Sequence, residues 1–287
     1  MLYVSLSRLT GQAGKPDVLK PPRRPFMVSE HNQASDSPNE HSAALPRREL
    51  SARQAEWLRD ARARLLRRAA VTRRRHIVEL GAGWGIVSEE LARRSGGRVT
   101  AVDCHPAAAG AQERPAQAGR CTGGAGVEWL LARAEQLPLP CGCCDLVLAQ
   151  FAFLWFSDVP GVVSEVCRIL EPGGALAAIE PDFGGLLEYP PEIELKPTWI
   201  AAIQRAGGDP LVGRKLPGLL TRAGFSVDVQ LPNRLKPPDA ARFELLAELP
   251  LTVEQQDALR RAQEAARRAG QYALAHLPML MIYAEAR

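Results

Sequence analysis

Hydrophobic and polar positions follow two rhythms along this chain. Short apolar runs bounded by glycine, proline or charge occur at His76 to Leu80, Arg98 to Val102, Val127 to Arg133, Cys144 or Asp145 to Gln150, Ala175 to Glu180, Ser226 to Leu231 and Met279 to Glu285. Each has the length of a strand. Between them apolar residues recur three or four apart. Leu50, Gln54, Trp57, Leu58, Ala61, Leu65 and Ala69 form one helical stripe, with Arg53, Arg59, Arg62, Arg64, Arg67 and Arg68 mostly off it. Ile86 to Arg94, Pro106 to Arg120, Val159 to Leu170, Trp199 to Ala206, Arg214 to Ala223 and Val253 to Ala275 read as further helices, the second cut or kinked by Pro115. Glu171-Pro172-Gly173-Gly174 and Gly224 supply stop signals. Strands alternating with helices in this way predict an α/β fold, a doubly wound, mostly parallel sheet covered on both faces.

The first run carries the chemistry. Glu79-Leu80-Gly81-Ala82-Gly83-Trp84-Gly85 ends a strand in three alternating glycines and leads into a helix. Glycine there lets the backbone turn through dihedrals closed to other residues and lets a ligand approach without meeting a Cβ. The second run delivers Asp103, 22 positions after Gly81, where a carboxylate can accept both hydroxyls of a ribose. The ligand implied is a nucleoside. The dinucleotide fingerprint G-x-G-x-x-G places its third glycine one residue later, and here Ile86 fills that slot.

Three later stretches narrow the choice: Ala134-Glu135-Gln136-Leu137-Pro138, Asp145-Leu146-Val147-Leu148-Ala149-Gln150, and Arg168 to Leu176 around Pro172-Gly173-Gly174. With the glycine turn and Asp103, their order and spacing resemble the class I S-adenosylmethionine-dependent methyltransferases, in particular the branch (methyltransferase type 11) of quinone-biosynthesis and other small-molecule enzymes. The resemblance spans about Arg47 to Arg287 and is specific in its first half. It implies a Rossmann-like seven-stranded sheet whose last two strands form an antiparallel edge hairpin. It also implies that Gly81, Ala82, Gly83 and Gly85 contact the methionine part and ribose of S-adenosylmethionine, that Asp103 takes the ribose hydroxyls, and that Ala134 and Glu135 lie beside the adenine. Glu79 would orient the methionine ammonium, and Gln150 would lie near the sulfonium. Glu180 and Asp182, leaving the fifth main strand, are the nearest candidates for a base, with loop-fixing hydrogen bonds as their other role; Tyr189, His105 and His276 are weaker candidates.

Composition bounds the rest. With 46% hydrophobic residues in 287, the chain can bury one full α/β core. The net charge of +4 is uneven, because residues 1–75 hold 16 Lys/Arg against 7 Asp/Glu and the remainder is net −5. The arginines of the first helix read as a solvated face, with no interleaved aromatics to stack a nucleic acid. Residues 1–46, rich in Pro, Ser, Asn and Gln, are expected to be a disordered extension, and residues 47–287 the catalytic domain, with 47–75 as its N-terminal helix and 232–278 as a helical insert covering the substrate opening. Six scattered cysteines suggest a reducing, cytoplasmic setting. Cys141-Gly142-Cys143-Cys144 lacks the second pair that a zinc site would need, so no metal is expected. No apolar run has the length of a membrane span.

Together these features predict methyl transfer from S-adenosylmethionine to a small organic acceptor, releasing S-adenosylhomocysteine. Gln150-Phe151-Ala152-Phe153 stands where nucleic-acid amino-methylases hold a flipped base, which argues against a nucleic-acid substrate. Phe151, Phe153, Trp155 and Phe156 suggest a partly hydrophobic acceptor, half of them serving as core. Two other readings are an NAD(P)-dependent oxidoreductase, disfavoured by the early third glycine, and a non-catalytic cofactor-binding partner protein.

Overall fold

The computed structural model describes residues 45–107, 121–122, 126–231 and 239–286. Strand β1 (His76–Leu80) is buried at every position, as a strand must be when both faces of its sheet are covered. Along the chain follow β2 (Arg98–Asp103), β3 (Cys121–Thr122), β4 (Val127–Leu131), β5 (Cys144–Gln150), β6 (Leu170–Pro181), β7 (Leu187–Tyr189), β8 (Ser226–Gln230), β9 (Leu274–His276) and β10 (Met279–Glu285). The main sheet has the order β3-β4-β2-β1-β5-β6-β10-β8, and β7 pairs with β9 in a separate ribbon. From β4 through β6 the pairs are parallel. Strand β10 runs antiparallel to both β6 and β8. All seven expected strands are present. The chain steps outward from β1 to β4 and then returns to β5, so strand order reverses beside β1, where an open α/β sheet leaves a crevice at its carboxyl ends.

Eight helices are described: α1 (Arg48–Trp57), α2 (Arg59–Arg68), α3 (Ile86–Ser95), α4 (Val159–Ile169), α5 (Lys196–Arg205), α6 (Val212–Arg222), α7 (Ala241–Ala247) and α8 (Val253–Ala269). Alternation along the strands sorts the core into two layers. Val78, Leu80, Val147 and Ala149 pack with Val162, Val166, Leu216 and Leu220 of α4 and α6. Ile77, Val99, Leu146 and Leu148 pack with Leu65, Leu66, Val87 and Leu91 of α2 and α3. His76 links β1 to β2 and to the residue before β5: its Nδ1 lies 2.7 Å from the Cys143 carbonyl and its Nε2 2.9 Å from the Thr100 hydroxyl. The carbonyl can only accept, so Nδ1 carries the proton and Nε2 accepts. Burial lowers the pKa of this imidazole.

A third, smaller core joins α5, α7 and α8 through Leu195, Ala202, Phe243, Leu246, Leu259 and Ala262. Large apolar side chains such as Phe243 and Leu259 contribute about 1.5–3 kcal/mol each when fully buried, enough to hold these helices together as a cap. Helix α8 starts at a capping box in which Thr252 and Gln255 bond each other's backbone N–H.

The structure differs from the sequence reading in several places. The N-terminal helix is interrupted at Leu58. Strand β3 occupies part of the expected glycine-rich loop and adds an eighth strand beside β4. The helix expected over Val253 to Ala275 stops at Ala269, followed by Gly270 at φ +54°, and its last residues instead enter β9. Helix α7 had no expected counterpart. Of the expected disordered extension, residues 1–46, the first 44 lie outside the described residues, as do the body of the Pro106 to Arg120 helix and residues 232–238 of the insert. Leu45 and Pro46 are described and line the cavity of the candidate site.

Candidate active site

The glycine turn adopts the geometry that its residue types require. Gly81 and Gly85 sit at φ +67° and +72°, a region that side chains rarely enter. A Cβ on Gly81 would lie 2.6 Å from that of Ala152, and one on Gly85 would lie 2.5 Å from the Trp129 ring. Gly81 therefore admits the end of β5 to the turn, while Gly85 admits the indole of β4. The turn is tied to the end of β2, because Ala82 N donates to the Val102 carbonyl (3.0 Å) and Gly83 N to Asp103 Oδ2 (2.8 Å). Asp103 Oδ1 accepts from His105 N at 2.8 Å. A carboxylate oxygen has two lone pairs, so each oxygen keeps acceptor capacity for a ligand.

Beneath the turn lies a polar network that crosses the α2 and α3 face of the sheet. Glu79, 2% exposed, accepts from the Ser88 hydroxyl of α3. Burial pushes its carboxyl up to about 8, outweighing the Ser88 hydrogen bond and the nearby Arg62 charge. Arg62 is 4% exposed. Its guanidinium donates to the Ala55 carbonyl (2.8 Å), to Glu90 (2.6 and 2.8 Å) and to Gln150 Oε1 (3.0 Å). The Gln150 side-chain oxygen thus accepts from Arg62, and its amide nitrogen is the donor it can offer elsewhere. Arg62, expected among solvated arginines, is instead a buried connector. The signal was present in the sequence: it stands four residues after Leu58 and three before Leu65, both on the apolar stripe.

The turn, and Glu79 and Gln150 of this network, face a cavity of about 1370 Å³. Of the expected cofactor-binding residues, Glu79, Gly81, Ala82, Gly83, Asp103, Ala134 and Gln150 line it. Gly85 and Glu135 do not; Glu135 Oε1 accepts from Ser157 Oγ at 3.2 Å and lies 3.4 Å from Arg133 Nη2. Phe151, Trp155 and Phe156 line the cavity, whereas Phe153 is in the core. His105 and His276 also line it, and Tyr189 does not.

Glu180 is fully buried, and its Oε1 accepts from the amides of Ala152 and Phe153, both at 3.1 Å. Burial raises its pKa to about 8. Asp182 pairs with Arg214 through both oxygens, at 2.8 and 2.7 Å. Neither carboxyl lines the cavity. Both do the loop-fixing that their position at the end of β6 also allows. Cys144 is buried, with Sγ 3.3 Å from the Ile169 carbonyl, and Cys141 is exposed. Among the described residues no group of three or more His, Cys, Asp or Glu could hold a metal ion.

Two chain segments roof the cavity. Leu45, Ser51, Gln54 and Trp57 come from the N-terminal segment and α1, and Trp199, Ile203, Arg242, Leu245 and Leu249 come from the cap. The two are joined across the opening: Arg47 to Glu248 (2.6 Å), Arg53 to Glu244 (3.5 Å) and Trp57 Nε1 to Asp239 Oδ2 (2.8 Å). Trp84 Nε1 in the glycine turn donates to the Pro46 carbonyl at 2.7 Å, tying the turn to the same roof.

Residues 78–178 match the methyltransferase domain family. Over that stretch the chain is similar to a methyltransferase domain. The match runs from β1 to β6, covering the glycine turn, Asp103 and Gln150 and ending before the cap. The ubiquinone/menaquinone biosynthesis C-methyltransferase UbiE of Rubrivivax gelatinosus is 33% identical over 117 residues, 41% of this chain and 43% of that protein. The malonyl-[acyl-carrier protein] O-methyltransferase of Serratia marcescens is 31% identical over 118 residues, 41% and 43%. The matched stretch thus spans less than half the length of these relatives. Among solved structures, the YcgJ protein of Bacillus subtilis superposes with a TM-score of 0.52 at 16% identity, covering 75% of this chain and 93% of its own. The (4+2)-cyclase SpnF superposes with 0.51 at 17% identity, covering 81% and 80%. These two likenesses establish the fold. Among the described residues no helix is long and apolar enough to cross a membrane.

Proposed function

We propose that the protein transfers a methyl group from S-adenosylmethionine to a small organic acceptor and releases S-adenosylhomocysteine. One observation carries the reading: the Asp103 carboxylate and the Gly81-Ala82-Gly83 turn are hydrogen-bonded to each other and line the same cavity. The residues fit the cofactor. Asp103 retains acceptor capacity for two vicinal hydroxyls, the glycine turn leaves room for close approach, and Ala134 offers a small apolar surface to a purine. Glu79, protonated without a ligand at neutral pH, can ionise opposite an ammonium group.

Bound S-adenosylmethionine supplies an electrophilic methyl group on a good leaving group. The protein's part is then placement: Gln150 and Phe151 at the end of β5 bound the space beside the turn, and Trp155, Phe156, Trp199 and the α1 roof exclude water around an acceptor. Holding the reacting atoms ~3–3.5 Å apart and in line can supply much of the rate enhancement. With Glu180 and Asp182 turned to structure, His105 and His276 are the histidines left facing the cavity.

The test is release of S-adenosylhomocysteine during incubation with methyl-labelled S-adenosylmethionine and a panel of phenols, amines, carboxylates and activated carbon acids. Transfer to at least one acceptor, lost in Asp103→Ala, is expected. Tight cofactor binding without transfer to any acceptor would favour a non-catalytic cofactor-binding protein.

A further inference from the structure

The cap wall of the cavity is largely apolar, with Arg205, Asp239, Arg242, Glu248 and His276 as its polar members, and Arg242 is one that the methyl-transfer chemistry does not use. Phe183 and Trp199, with ring centroids 5.2 Å apart, and Leu186, Leu245 and Leu249 line the same cavity. Among them stands Arg242 of α7, whose side chain is 12% exposed. Its Nη2 pairs with Glu188 of β7 and lies 3.5 Å from the Ile193 carbonyl. Its Nη1 is buried and has no hydrogen-bond partner among the described residues. An unpaired buried N–H carries a desolvation cost of about 1–3 kcal/mol, more on a charged group.

Glu188 does not remove the need for a second partner. It is 1% exposed, and its other oxygen accepts from the amides of Leu195 and Lys196 at 2.7 and 2.9 Å, at the start of α5. Its charge is therefore divided between a helix N-terminus and one edge of the guanidinium. The acids on the same wall are engaged elsewhere: Glu248 with Arg47, and Asp239 with Trp57 Nε1 and Ala241 N. Arg205, the other guanidinium on this wall, is engaged by the Pro250 carbonyl and Gln255 Oε1, which leaves Arg242 as the cation with a nitrogen lacking a partner among the described residues. Its buried Nη1 meets an incoming anion by a turn of the side chain toward the cavity, where a guanidinium fork matches a carboxylate.

We propose that the methyl acceptor is an apolar or aromatic carboxylate whose carboxylate is received by Arg242, with Glu188 as the positioning residue. The inference rests on the methyl-transfer reading for what happens to this ligand, but not for its binding. The test is a set of carboxylate and amide pairs of equal shape, from phenylacetate and phenylacetamide to decanoate and decanamide. They are titrated into the full chain, with and without S-adenosylhomocysteine, and followed by tryptophan fluorescence.

At least one carboxylate should bind tenfold or more tighter than its amide. Arg242→Met should abolish that preference while leaving the affinity for S-adenosylhomocysteine within twofold. Should Arg242→Met fail to fold, Arg242→Lys decides, with the preference expected to fall at least threefold because the fork is lost. No preference in any wild-type pair, or a preference that survives in the variant that folds, overturns the proposal. A carboxylate preference in a protein that binds no S-adenosylhomocysteine supports the Arg242 site and defeats the methyl-transfer reading, so the two failures are distinguishable.

Discussion

The two walls of the cavity are built on different principles. The cofactor wall consists of strand ends: β1, β2 and β5 stop within one crevice, and backbone bonds from Ala82 and Gly83 set the turn against Val102 and Asp103. The cap wall consists of helices α5 and α7 with the ribbon of β7 and β9, held by their own small core and by the Arg242–Glu188 pair. Backbone geometry at a sheet's carboxyl end is determined by the fold and tolerates few residue types. A helical wall can change its side chains without changing its path. The first wall is therefore suited to an invariant cofactor, and the second to whichever acceptor the chain has come to bind. That the family match ends at residue 178, before the cap begins, follows the same division.

The comparison can be broken from either side. The largest effect is expected for Gly81→Ala, which places a Cβ 2.6 Å from that of Ala152 at φ +67°. A loss of about 2 kcal/mol or more in unfolding free energy is expected, with cofactor affinity reduced at least tenfold in calorimetry. Trp199→Ala acts on the other wall. It should raise the acceptor KM severalfold and cost about 1–3 kcal/mol of stability through lost packing on Phe183, while cofactor affinity stays within twofold. A cofactor affinity that falls as far as the acceptor's would show that the walls are not separable.

Gln150→Glu sharpens the reading of the cofactor wall. The new carboxylate keeps and strengthens the bond to Arg62 but removes the amide nitrogen as a donor. Thermal stability should therefore hold or rise while S-adenosylmethionine affinity falls severalfold; parallel changes in both would assign Gln150 to structure alone.

A smaller effect concerns protons. Glu79 has a folded pKa of about 8, above its ordinary value, so its protonated form is the folded one at neutral pH. The stability it contributes is present below the ordinary carboxyl range and is lost as pH rises through about 8. An ammonium bound beside it lowers that pKa. Titration with S-adenosylmethionine at pH 7 in buffers of different ionisation enthalpy should thus show release of up to about one proton, and Glu79→Gln should abolish it.

The same division explains what the sequence revealed. The seven main strands, the glycine turn and the position of Asp103 were legible because each follows from local pattern: apolar runs of strand length, glycines where φ is positive, a carboxylate at a strand end. Gln150 was reached through the family resemblance alone. Arg62 was misread as solvated because charge was given more weight than position, although its spacing from Leu58 and Leu65 places it on the buried face. The ribbon of β7 and β9 joins Leu187–Tyr189 to Leu274–His276 across more than eighty residues. No local period announces such a pairing. Arg242 and Glu188 meet for the same nonlocal reason, and nothing in either neighbourhood marks them as partners. Gly85 shows the reverse case: its place in the glycine pattern suggested a ligand contact, whereas the Trp129 ring accounts for it.

The most direct test of the central claim is calorimetric titration of the full chain with S-adenosylmethionine, S-adenosylhomocysteine and NADH, with Asp103→Ala as control. Micromolar binding of the first two, no binding of NADH, and a loss of at least a hundredfold in the variant are the predicted results. Binding of NADH alone, or S-adenosylmethionine affinity unchanged in Asp103→Ala, would contradict the account.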